Sequence, residues 1–119
     1  MDYQSFRVPV FNVKIDVFFT PVAYEEYTGD DPDSQSAGFV VLRNGYEVAI
    51  AIYDYNRLTI VHESVHAAYE VCKILGHKPS YDDQEIVAHL SGIIGSEVFD
   101  AYNRFVKWDN NRIEQVDTK

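Results

Sequence analysis

The chain has 119 residues, 46% of them apolar, with 9 Tyr and 7 Phe, which is bulky material enough for one domain with its own core. A formal charge of −9 disfavours nucleic-acid binding, which needs a basic footprint; it suits a cationic peptide or protein partner, or simply keeps a small protein soluble. No stretch approaches the ~20 apolar residues of a membrane span, the first residues lack the pattern of a secretory signal, and the single cysteine, Cys72, permits no intrachain disulfide, so a cytoplasmic setting is expected.

In chain order, the first strong signal is alternation. Val13, Ile15, Val17 and Phe19 alternate with Asn12, Lys14, Asp16 and Phe18, which predicts a half-buried strand over 11–19. Residues 28–38, rich in Gly, Asp, Pro and Ser, read as an exposed loop. Two apolar runs flanking Asn44-Gly45 predict a hairpin over 38–53 with a type I′ turn. Its second arm, Val48-Ala49-Ile50-Ala51-Ile52, leads almost directly into a helix.

Leu58, Val61, Val65, Ala68, Cys72 and Leu75 recur at spacings of three and four, which predicts one buried face for that helix. Thr59, Asn56 or Asp54 supplies the N-cap, and Gly76 followed by Pro79 supplies the stop. His77 beside the stop suits the helix dipole. A second helix follows from Ile86, Leu90, Ile93, Ile94, Val98, Ala101, Tyr102 and Phe105, with Gly92 and Gly95 allowing close helix approach. Residues 109–119 read as a polar tail behind a single domain, 1–108. The expected fold class is α+β, with a three-stranded antiparallel sheet covered on one face by two helices.

The first helix carries His62-Glu63-Ser64-Val65-His66. Residues four apart share a helix face, with Cβ atoms roughly 5–6 Å apart, so both imidazoles can reach one metal ion at about 2.0–2.1 Å. Glu63 lies about 100° further round, beside such an ion, where a base acting on water belongs. Catalytic zinc usually takes three protein ligands. The next candidate is Glu85, separated from His66 by 18 residues that fold back into the second helix. Its rival role is local: Asp82 with Glu85 three residues later reads as a capping box.

His-Glu-x-x-His with a glutamate eighteen residues on resembles the gluzincin class of zinc metallopeptidases, over roughly residues 46–105. The phrase from Ile60 to Ala68, with Glu85-Ile86-Val87-Ala88 behind it, also looks like small metallopeptidase-like proteins of phages and mobile elements. The resemblance implies a minimal zincin-like domain in which His62, His66 and Glu85 bind Zn2+ and Glu63 is the general base. Larger gluzincins often carry an acidic residue four positions beyond the third ligand, where this chain has His89. His89 would accept from a ligand imidazole, or face the open site and donate to a developing oxyanion. Asp82, Asp83, Asp54 and Glu97 are the other acceptors, and Tyr53, Tyr55, Tyr69 and Tyr81 flank the motif. The expected activity is zinc-dependent hydrolysis of a peptide or protein substrate, without nucleic acid or membrane. The rival expectation is a non-catalytic zincin-fold protein that binds and modulates a host protein. Oligomeric state has no signal in the sequence.

Overall fold

The computed structural model describes residues 1–80 and 84–117, with side chains through residue 113. Seven elements follow in chain order: β1 (Tyr3–Arg7), β2 (Lys14–Phe18), α1 (Pro21–Thr28), β3 (Gly38–Arg43), β4 (Glu47–Ile52), α2 (Arg57–Ile74) and α3 (Glu85–Asp117). The strands form one sheet in the order β1-β2-β4-β3. β1 runs antiparallel to β2, β2 parallel to β4, and β3 antiparallel to β4. The α+β class stands, but the expected three-stranded antiparallel sheet is corrected to four mixed strands, and the expected two helices to three.

Two features account for the difference in the sheet. β1 is a five-residue segment, Tyr-Gln-Ser-Phe-Arg, in which polar residues hide the alternation. The parallel partnership of β2 and β4 is long-range, in the register Ile15↔Val48 and Val17↔Ile50. It makes β4 a central strand covered on both faces, so every residue from Val48 to Ile52 is fully buried, hence its unbroken apolar run. The β3–β4 connection keeps the expected turn: Asn44 and Gly45 sit at φ 58° and 81°, and the Tyr46 N–H donates to the Arg43 carbonyl at 3.2 Å.

Each face of the sheet has its own core. Ile15, Val17, Val48, Ile50 and Ile52 point toward α2 and α3. These helices return Ile60, Ala67 and Val71, and Leu90, Ile94, Val98 and Phe105 respectively, all at most 2% exposed. Phe105 stacks on Phe19 at 4.9 Å between ring centroids. The opposite face, with Phe18 and Ala49, is covered by α1. Thr20 caps α1 by accepting from the Ala23 N–H, Pro21 stands at its start, and Tyr24 meets the rings of Phe18 and Phe39 edge-on.

The ends of α2 fix its rotation and length. Asn56 is the N-cap, its Oδ1 accepting from the Leu58 N–H at 2.8 Å. Asp54 supports it, accepting from the Asn56 N–H and from the Thr59 hydroxyl. At the other end Gly76 adopts φ 72°, the His77 N–H donates to the Cys72 carbonyl and the Gly76 N–H to Lys73, a Schellman stop.

The buried face of α2 differs from the expected one. Ala68 and Cys72 are buried, but Leu58, Val61, Val65 and Leu75 are exposed, and Ile60, Glu63, Ser64, Ala67 and Val71 take the core positions. α3 runs to Asp117, so residues from 109, expected as a polar tail, continue the helix.

Candidate metal centre

α2 rotates His62 and His66 onto its solvent side, next to the edge that meets β3. Both are exposed, and their Nε2 atoms stand 3.2 Å apart, with the rings inclined at 70°. Two nitrogens each ~2.0–2.1 Å from a tetrahedral ion are separated by about 3.3–3.4 Å. The pair is thus already spaced for one metal; without an ion the same spacing holds one N–H···N contact whose direction depends on the tautomers.

Glu63 completes the group. Its carboxylate lies within 4.8 Å of both imidazoles, yet the residue is only 7% exposed. Gly38, the first residue of β3, stands close against it. A Cβ built there would fall 2.7 Å from the Ala51 carbonyl oxygen, 2.8 Å from Thr59 Cγ2 and 3.3 Å from Glu63 Cγ. Only hydrogen at that position lets the strand press against α2. Burial raises the Glu63 pKa above the ordinary carboxylate value; His62 and His66 pull it back, and Asp54 pushes it up. The group opens into a shallow depression of about 400 Å³ between the helix and residues 36–38. The close approach at Gly38 escapes sequence reasoning because it carries no motif, whereas Asp54 and Thr59, read as cap candidates, bond to each other beside the cap. The one signal available was a glycine at the start of an otherwise apolar strand.

The second helix does fold back antiparallel on α2, but Glu85 does not arrive at the histidines. Gly95 packs on Ser64, its Cβ position 3.6 Å from the Ser64 hydroxyl. Glu85 precedes Gly95 by ten residues, which places it level with the end of α2, about 12 Å along the axis from His66. It is exposed and lies outside the group of potential ligands. His89 is also exposed, beside a depression formed with Pro9, Gly92, Ser96 and Glu97, which places Glu97 away from the histidines as well. Tyr53 is committed elsewhere, its hydroxyl donating to the Pro32 carbonyl at 2.8 Å; Tyr55 meets Tyr102 and Phe105, and Tyr69 is half exposed on the outer face of α2. Tyr81, Asp82 and Asp83, and with them the capping-box reading, lie outside the described residues.

Two imidazoles with a carboxylate beside them are a group that could hold a metal ion. Comparison with known protein families, curated proteins and solved structures finds no match.

Proposed function

We propose that this chain is a zinc-dependent hydrolase acting on peptides, with His62 and His66 as protein ligands and Glu63 as general base. The observation that carries the reading is the 3.2 Å separation of the two Nε2 atoms beside a buried glutamate. A bound zinc ion supplies Lewis acidity and an activated water at neutral pH. Glu63 takes a proton from the attacking water at its carboxylate and returns it to the leaving amine. Burial strengthens the grip of that carboxylate on the proton. β3 is an edge strand that starts at Gly38, so an extended peptide pairing along it passes the group.

A second reading has its own support. The described group contains two imidazoles and the Glu63 carboxylate alone, so if Glu63 is the third ligand no base remains, and the group lies in an open depression, as a site that binds without cleaving would. One experiment separates the two. The protein is incubated with a mixed peptide library, with and without chelator, beside Glu63→Gln. Cleavage abolished by chelator and by the substitution, with zinc retained in the variant, supports hydrolysis. Stoichiometric zinc without cleavage supports binding alone.

A further inference from the structure

The depression beside the metal group has acid at one rim and apolar surface at the other. Ser36 and Ala37 form the rim next to β3, and each is bonded to an aspartate's backbone. The Ser36 N–H donates to the Asp33 carbonyl at 3.0 Å, a turn that keeps their Cα atoms within about 7 Å. The Asp54 N–H donates to the Ala37 carbonyl at 3.3 Å. Both aspartates are exposed, and Asp33 builds its turn with backbone atoms, its N–H donating to Asp31 Oδ1 at 2.9 Å. The opposite rim is Leu58, 77% exposed. Among the described residues no lysine or arginine lines the depression. Arg57 lies about 170° round α2 from the centre of the lining positions Leu58, Thr59, His62 and Glu63.

The floor of the depression supplies a second observation. Glu63 lines it while only 7% exposed, and no described residue hydrogen-bonds to its carboxylate. A buried carboxylate without donors is unfavourable, and a ligand that brings donors and positive charge relieves it. Three carboxylates thus surround one shallow space with an exposed leucine beside it. A lysine or arginine side chain matches both parts: its methylenes cover Leu58, and its charged head meets the carboxylates.

We propose that the site takes peptides carrying a lysine or arginine beside the metal group, with Asp33 and Asp54 as the residues that select it. The inference rests on the reading of this group as a peptide site, whether or not the peptide is cut. The charge of −9 draws cationic chains to the surface as a whole. The two aspartates decide where the positive charge is seated. Exposed ion pairs are individually weak, so each carboxylate supplies about threefold in preference and the two together about tenfold.

The test uses short peptides blocked at both ends and identical except for one central residue: lysine, arginine, methionine or glutamate. A further peptide has a free N-terminus and no basic side chain. Binding to the full chain is read by fluorescence anisotropy in chelator, and cleavage as kcat/KM with zinc. The lysine and arginine peptides should exceed methionine by about tenfold, glutamate should be weakest, and the preference should shrink as salt rises. Asp33→Asn tolerates the left-handed backbone at φ 48° and should lower the preference about threefold. Asp54→Asn should do the same; if it misfolds, Asp33→Asn carries the test. Lysine-selective binding without cleavage upholds the inference and removes hydrolysis. Cleavage with no preference for lysine over methionine overturns the inference and leaves hydrolysis standing. A preference that both variants retain also overturns it, and so does binding of the unblocked peptide alone, which would make the recognised cation a terminal amine.

Discussion

Gly38→Ala probes the contact that seats the edge strand against the metal group. The new methyl would stand 2.7 Å from a backbone carbonyl and 2.8 Å from Thr59 Cγ2, so either β3 or α2 must shift by several tenths of an ångström. Overpacking of this kind costs about 1–3 kcal/mol, offset by the ~0.4–1 kcal/mol that alanine saves in unfolded-chain entropy. The obstacle is backbone rather than a flexible side-chain tip, which favours the upper half of that range. The expected net loss is about 1–2 kcal/mol, or roughly 4–8 °C in Tm at this chain length. Thermal denaturation followed by circular dichroism reads it directly. Adding Thr59→Ser removes one of the two close contacts and should restore part of the loss while leaving the carbonyl clash. A Gly38→Ala protein melting within about 1 °C of the wild type would refute the packing of β3 on α2.

Asn56→Ala removes the N-cap of α2 and should cost about 1 kcal/mol, near 4 °C in Tm, while Thr59→Ala, which is not the cap, should cost less; equal losses would contradict the capping assignment. Tyr53 has its pKa pushed up to about 12 by burial, so its hydroxyl stays protonated when an unfolded tyrosine, near 10, ionises. This contribution to stability is complete below pH 10 and is lost as pH rises toward 12. Tyr53→Phe should therefore flatten the alkaline decline in denaturant stability, while losing about 1 kcal/mol at neutral pH with the bond to Pro32. An unchanged alkaline slope in that variant would show that Tyr53 is not the group responsible.

How much was legible in the sequence depended on how many faces each element buries. α3 was readable because its apolar residues form one stripe, and Leu90, Ile94, Val98, Ala101 and Phe105 are all buried. α2 was misread because it has two apolar stripes, one through Ile60, Ala67 and Val71 and another through Leu58, Val61 and Val65. Spacing cannot say which faces the sheet. Local backbone chemistry read true at Asn44-Gly45 and Gly76, where positive φ is needed. The pairing of β2 with β4 left no local trace. The histidine pair was visible because both members sit on one helix, whereas the place of Glu85 depended on the register of two helices, which Ser64 and Gly95 set and no spacing rule encodes.

The most direct measurement is zinc affinity by competition with a chromogenic chelator, for the wild type and for His62→Ala, His66→Ala and Glu85→Gln. The expected result is one zinc per wild-type chain, affinity reduced by at least ~100-fold in each histidine variant, and little change in Glu85→Gln. A wild type that takes no zinc at micromolar supply, or histidine variants that bind it as tightly as the wild type, would contradict the metal centre.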